Sequence, residues 1–511
     1  MTRSATRGAR ATWTASVRLL AAACGCAVFV YTAAQLARVQ LATEHLTSRD
    51  GYYHARYAHL LPTRGLSREF AWTQHSLWRD RFADKDLLFH AYLAPFCTDE
   101  RTMVARAKTA AWLLGVAVLG AFALAVRSTG IPLGPLWALV LFGAGSHFVF
   151  RLSQCRAHVL SIGLFIVGLS CLLRGRWRSV CVVGFVYAWS YAAPHLLVVV
   201  ACVHAVAVWT HTGRLPWRAP AAAALGVVGG LVVHPYFPND LRLWWVQNVV
   251  VLTHAWTGRG ELTLGDEVQS TTLRSLVVTS TPLLVGLVLG SLLCVVAARA
   301  QRLSARTWSL LLVMYACFTL YGLSARFVEY FAPAAIWLLA SVATDLVDAA
   351  RLGEAWRARP RRVLTIGLVI AGVVAALQWR SLSASLEAVR ATRRPALAEA
   401  ARWTRANVPP GANVLHLNWG DFVQLFAFDP DHRYVVGLDP SFMHEVDPER
   451  FRYLEDVRHG RRPVVKEELR GRFDARVLVV SKEWPGQVRA CEDALLDVLY
   501  EDDHAVVYAL D

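Results

Sequence analysis

Two short stretches hold the side chains best suited to chemistry. One is Asp50-Gly51-Tyr52-Tyr53-His54-Ala55-Arg56, and the other is Asp84-Lys85-Asp86-Leu87-Leu88-Phe89-His90. Ionised carboxylates accept protons and, in groups, hold divalent cations. Both stretches carry an Asp and a His four residues apart, Asp50 with His54 and Asp86 with His90. On a helix such pairs share a face, so each would present an oxygen and a nitrogen together. Asp50, Asp84, Asp86, His54 and His90 are therefore candidate ligands for a divalent ion, the mixed donors admitting manganese or zinc beside magnesium. A plainer reading exists for each part. An Asp-x-Asp ahead of the helical pattern Leu87, Leu88, Tyr92, Leu93 also serves as a helix cap, and single histidines hydrogen-bond at interfaces. The fall of all three carboxylates within one loop favours the chemical reading.

The elements that must position these groups are membrane helices. The chain has 511 residues, of which 55% are hydrophobic and 18% charged, and its mean hydropathy is +0.36. A soluble protein this apolar could not cover its surface, so disorder and a secreted disulfide scaffold are excluded. Eleven apolar runs read as spans, at 16–36, 109–127, 131–150, 157–173, 179–193, 195–211, 218–235, 275–297, 307–323, 327–347 and 362–379. The fifth and sixth are short and meet at Pro194, where a broken pair or a re-entrant segment is expected.

The net charge of +15 is arginine, since lysine occurs only at Lys85, Lys108, Lys466 and Lys482. Its placement follows topology rather than nucleic acid. With the N-terminus inside, Arg127, Arg174, Arg176, Arg178, Arg214, Arg218, Arg299, Arg302 and Arg306 all fall in internal loops, as the positive-inside rule requires. An odd number of spans then puts the C-terminal tail outside. The arginine and alanine bias points to a bacterial source, hence to the cytoplasmic (inner) membrane with an external or periplasmic tail.

The expected fold class is thus an α-helical polytopic membrane protein, 1–379, with a small C-terminal α/β domain, 380–511. External loops at 37–108 and 236–274 are long enough to be functional. The tail reads as helix at Ala396–Asn407 and Val488–Leu499. Strands are expected at Asn413–Leu417, Tyr434–Leu438, Val477–Val480 and His504–Leu510. Tyr52, Tyr53, Trp72 and Trp78 are expected in the interfacial aromatic belt or stacked on a ligand. Cys97, Cys155 and Cys491 are the cysteines placed to face an oxidising compartment, and no CxxC pair has zinc spacing.

The stretch from Asp50 to Arg56 is similar to the first-loop motif of the oligosaccharyltransferase catalytic subunit, an Asp followed by paired aromatics and an Asn or His. With the spans, it makes the chain resemble the GT-C superfamily of membrane glycosyltransferases. The resemblance covers most of the chain in architecture and a handful of residues in sequence. It implies an active site on the external face, a polyprenyl-phosphate- or pyrophosphate-linked sugar donor, and a divalent metal, magnesium or manganese. Asp50 would be the central catalytic carboxylate and Asp84/Asp86 the second acidic motif. Arg326-Phe327-Val328-Glu329-Tyr330 is similar to the arginine-bearing segment that faces the active site, which casts Arg326, with Arg56, as donor-phosphate ligands. A plainer reading pairs Arg326 with Glu329.

Asn418-Trp419-Gly420-Asp421-Phe422 resembles the family's tryptophan–aspartate motif, so Trp419 and Asp421 would contact the acceptor. Glu261, Asp266 and Glu267 match a functional glutamate loop by position alone, Glu267 being a further candidate metal ligand. Two departures stand out. The acidic pair shares a loop with Asp50, as in GT-C enzymes that move a single sugar, and the tail motif has one tryptophan with a Gly before its Asp. The acceptor class, lipid, polysaccharide or protein, therefore stays open. Two other classes compete: a transporter or flippase, which would suit the broken pair, and a non-catalytic assembly factor. The polar groups cluster on one face without an inverted repeat, which disfavours transport. The soluble parts carry no phosphate-binding loop or dinucleotide fingerprint.

Overall fold

The computed structural model describes residues 15–251, 253, 270–347, 354 and 357–511. Among the described residues, seven helices are long and apolar enough to cross a membrane: Ala22–Gln40, Met103–Ser128, His195–Thr212, Leu273–Arg299, Ala305–Leu323, Ala325–Leu346 and Pro360–Arg390. A bent pair, Gly134–Phe142 and Ser146–Leu152, and three shorter helices, Ala157–Leu173, Trp177–Ala188 and Arg218–Val232, fill the remaining apolar stretches. The chain is a polytopic α-helical membrane protein with a small C-terminal sheet domain.

A sharp bend falls inside 131–150, where the two halves meet at 102°. Gly143-Ala144-Gly145 supplies the corner, and a Cβ on Gly145 would come within 2.7 Å of the Thr279 carbonyl oxygen. At Pro194 the expected break is a short irregular segment between the helix that ends at Ala188 and the one that begins at His195. Trp177–Ala188 covers about 18 Å at ~1.5 Å per residue, well short of the ~30 Å hydrocarbon core. The non-helical residues that follow it, Tyr191 to Ala193, line a cavity. A short helix is how the bundle makes room for polar groups at one end.

Trp177–Ala188 packs on Arg218–Val232 through glycines. A Cβ on Gly226 would overlap the Cys181 carbonyl oxygen, and one on Gly230 would come within 2.7 Å of the Phe185 carbonyl oxygen. This small-residue seam lets two backbones touch where lipid gives no hydrophobic drive. Gly226→Leu is therefore expected to cost about 1–3 kcal/mol or more through overpacking. Gly229→Leu, whose Cβ meets open space, should cost little. Thermal unfolding of the two detergent-solubilised variants checks the difference.

In the tail, strands β1 (Asn413–His416), β2 (Arg433–Tyr434), β3 (Ala475–Ser481), β4 (Val498–Glu501) and β5 (Ala505–Ala509) form one sheet of order β2-β1-β3-β5-β4. The first three are parallel and the last three antiparallel. The expected helix at Val488–Leu499 is shorter, Pro485–Asp493, and its last residues belong to β4. The last long helix runs on to Arg390 rather than ending near 379.

The sheet edge beyond β2 is covered by the first loop. Tyr434 N–H donates to Trp72 O (2.7 Å), Gln74 N–H to Tyr434 O (2.8 Å) and His75 N–H to Val435 O (2.9 Å). Pairing closes an edge that would otherwise be open to other chains. Beneath it Tyr53, Tyr57, Phe70, Trp78 and Phe82 share one apolar core with Phe422, Phe426 and Val477. Tyr53, Trp72 and Trp78 thus build the seam between loop and tail, and Tyr52 is buried in the adjoining helical core. None of the four stands in an aromatic belt. All ten cysteines are free thiols.

Candidate functional site

A helix at Asp50–Arg64 sets the first motif. Asp50 occupies its first turn, where the helix dipole favours a negative charge, and His54 lies one turn below. Both line a cavity of about 300 Å³, as do Lys85, Asp86, Arg156 and Arg326. The expected pairing of Asp50 with His54 is not made. Asp50 Oδ2 instead meets Arg156 Nη2 at 2.9 Å, and His54 Nδ1 lies 2.8 Å from His90 Nε2.

Asp86 and His90 do not pair side chain to side chain either. His90 Nδ1 donates to both oxygens of Asp84, at 2.9 and 2.8 Å. Asp84 Oδ1 also accepts the Asp86 N–H at 3.0 Å, which tightens the turn ahead of the Leu87–Leu93 helix. Neither aspartate caps that helix through its side chain. Asp84, His90 and His54 are all buried, and of the three only His54 reaches the cavity. Asp84–His90–His54 is thus a hydrogen-bonded chain running from the loop interior to the cavity wall.

Burial, first of all, and after it the neighbouring His90 imidazole hold the His54 imidazole well below its ordinary range. Asp86 is pushed up by burial, with Lys85 working against the shift. Its Oδ1 is buried without a hydrogen-bond partner, and the residue faces the cavity. A buried oxygen of this kind is costly until a donor reaches it, so Asp86 is poised to accept a hydrogen bond from a bound molecule.

The cavity's deeper wall was not foreseen. Glu329 accepts Arg151 Nε at 2.7 Å as well as a bond from Nη2, and His158 Nε2 lies 3.8 Å from its Oε1. The sequence held one signal for this: residues 101–239 contain no Asp or Glu at all. Arg151 and Arg156 must therefore take carboxylates from distant segments, and they do. Glu329 being taken by Arg151, the Arg326 guanidinium lies over the Phe327 ring, 5.6 Å from its centroid. It makes no ion pair among the described residues.

Of the other expected residues, Arg56 and Asp421 fall outside the cavity. Arg56 is buried and its guanidinium fastens loop to tail, donating to Ala427 O (2.6 Å) and to Glu100 (2.6 Å). Its role as a phosphate ligand is not supported by this placement. Trp419 lines the cavity, with its indole N–H buried and unpartnered. Asp421 sits behind it, pushed up to about 7 by burial and 3.4 Å from Asn418 Nδ2.

Among the described residues no three His, Cys, Asp or Glu side chains converge as a metal site. The physical reason is visible in the partners: both oxygens of Asp84 are spent on His90, and Asp50 is held by Arg156. The expected set of Asp50, Asp84, Asp86, His54 and His90 does not fit a divalent ion as placed. Glu261, Asp266 and Glu267 lie outside the described residues.

No family model matches the sequence, and no curated protein does. Solved structures do. The oligosaccharyltransferase of Archaeoglobus fulgidus in the apo form matches with a TM-score of 0.66 at 13% identity, over 95% of this chain and 74% of that one. ArnT from Cupriavidus metallidurans, bound to undecaprenyl phosphate, matches at 0.57 and 16% identity over 98% and 99%. The arabinofuranosyltransferase AftD from Mycobacteria matches at 0.57 and 15% identity, over 94% of this chain and 40% of its own. The fold that the resemblance implied is the fold observed, and it is that of these membrane glycosyltransferases.

Proposed function

We propose, with the GT-C fold as premise, that the protein transfers a sugar from a polyprenyl-phosphate-linked or polyprenyl-pyrophosphate-linked donor to an acceptor at the external membrane surface. One observation carries this reading: Arg326, with no carboxylate partner among the described residues, faces the same cavity as Asp50, Asp86 and His54. Two neighbours support the carrier. ArnT is described with undecaprenyl phosphate, and the A. fulgidus enzyme with an inhibitory peptide and a dolichol-phosphate. The arginines at the opposite end of the bundle support an external cavity in a bacterial cytoplasmic membrane.

The chemistry follows from what each group offers. The bond between sugar C1 and the phosphate oxygen breaks, and the departing phosphate keeps the electron pair. Arg326, with Lys85 and the Arg156 of the Asp50 pair, is placed to stabilise that growing negative charge. Among the described residues no three His, Cys, Asp or Glu side chains converge as a divalent-ion site, and these cations are the charge-stabilising groups that the described cavity offers. The acceptor oxygen attacks C1 from the other side and must lose a proton. Asp84 fixes the His90 proton on Nδ1, so His90 Nε2 is an acceptor and His54 must donate from its own Nδ1. The His54 Nε2 lone pair is then left for the acceptor proton, as in other carboxylate-positioned imidazoles. Asp50 orients the acceptor, Asp86 takes a hydrogen bond from sugar or acceptor, and Trp419 forms part of the acceptor side.

Mass spectrometry of polyprenyl-linked sugars in cells lacking the gene tests the reading. A lipid-linked sugar should accumulate, the wild-type gene should clear it, and Asp50→Ala should not. A pool unchanged by the deletion would sink the transferase reading.

A further inference from the structure

At the end of the bundle away from the cavity, two turns lie side by side. One joins helices Ala157–Leu173 and Trp177–Ala188, and the other joins His195–Thr212 and Arg218–Val232. A crevice of about 360 Å³ opens between them. Arg176 and Arg218, both exposed, line it, with Leu172, Val180 and Ala219 as apolar wall. Trp177 and Trp217 flank it, 42% and 63% exposed, at the level where indoles sit between lipid tails and water.

Two further observations point to a ligand. His204 reaches the crevice from inside the bundle, its Nδ1 3.1 Å from Ser309 Oγ. Its Nε2 has no protein partner among the described residues and is not sealed off from the crevice. The local charge is also uncompensated. Arg174, Arg176, Arg178, Arg214 and Arg218 stand in the acid-free segment 101–239, and none of them makes an ion pair among the described residues.

Guanidiniums that hold a phosphate, a buried imidazole nitrogen able to bond a glycerol or phosphate oxygen, and an apolar wall for acyl chains match one amphipathic anion. We propose that this crevice binds an anionic phospholipid, independently of the sugar-transfer cavity. Inorganic phosphate would use the arginines but neither the apolar wall nor the indoles. Interfacial basic pockets between helices are built for such headgroups.

The test uses the full chain in phosphatidylcholine nanodiscs carrying a minor share of phosphatidylglycerol. Lipid retained after mild detergent extraction is counted by native mass spectrometry. The double variant Arg176→Ala/Arg218→Ala should retain about tenfold less phosphatidylglycerol. Arg174→Ala/Arg178→Ala removes the same charge from residues that do not line the crevice, and should retain it as the wild type does. All four arginines are exposed, so neither variant threatens the fold, and a single elution peak verifies this. Equal losses in both variants would mean diffuse surface charge and overturn the proposal. So would retention unchanged in the first variant, or equal retention of phosphatidylcholine.

Discussion

Arg326→Met is expected to lower kcat/KM for sugar transfer by about 10³-fold, the loss typical of removing one group that meets transition-state charge. Arg326 lines the cavity and makes no ion pair among the described residues, so no buried carboxylate is orphaned by its removal. The variant should therefore fold and melt as the wild type does. Methionine keeps much of the stem that lies near Phe327 while deleting the charge. Arg326→Lys should recover only part of the rate, because a point charge cannot hold phosphate oxygens bidentately. Transfer from a lipid-linked sugar in detergent, with donor affinity measured alongside, is the check. A variant that binds and transfers normally would place the phosphate elsewhere in the cavity.

Asp84→Asn is expected to lower kcat by about 10²–10³-fold with KM nearly unchanged, though Asp84 does not touch the cavity. The introduced amide would offer an N–H to His90 Nδ1, and the proton of His90 would move to Nε2. His90 would then donate to His54 Nδ1, and His54 Nε2 would carry a proton where the acceptor needs a lone pair. His54→Ala should lose at least as much, and the double variant little more, since the three residues act as a unit. The pH profile follows in sign. Burial holds His54 below the ordinary histidine value, near 6.5, so the neutral base persists below that pH. Wild-type kcat should hold its plateau through pH 6.5 and fall only on further acidification. If Asp50 were the base, Asp84→Asn would leave kcat close to wild type, which is the outcome that would remove the relay from the mechanism.

What could be read from the chain alone was what is encoded locally. Apolar runs mark membrane helices because burial in lipid demands them, and all eleven stretches carry helices. The Asp50 and Asp84–His90 stretches were visible because carboxylates are rare in such a sequence. Partner choice was not local. A spacing of four suggested Asp86 with His90, yet the turn at Asp84 brings that carboxylate to His90 across six positions. Arg151 and Glu329 meet across 178 positions, and only the acid-free run around Arg151 hinted that its partner was remote. The four aromatics of the first loop looked like a membrane belt because their core partners, Phe422 and Phe426 among them, lie at the other end of the chain. Strand boundaries failed for the same reason: β2 pairs with β1 only at Arg433 and Tyr434, and its other edge is met by residues near Trp72, far away in sequence.

That edge has a consequence for biogenesis. The strand-like pairing of Trp72 with Tyr434 ties a segment that precedes most of the long helices to one that follows them all. Contacts so distant in sequence form late. Until then, Phe70 and Trp78 lack their covering and the wall containing Trp419 does not exist. A chain that has formed every long helix therefore still lacks one wall of its cavity. On the function proposed above, docking of the tail onto its loop becomes the licensing step, and a polypeptide cut short after residue 390 would be inert.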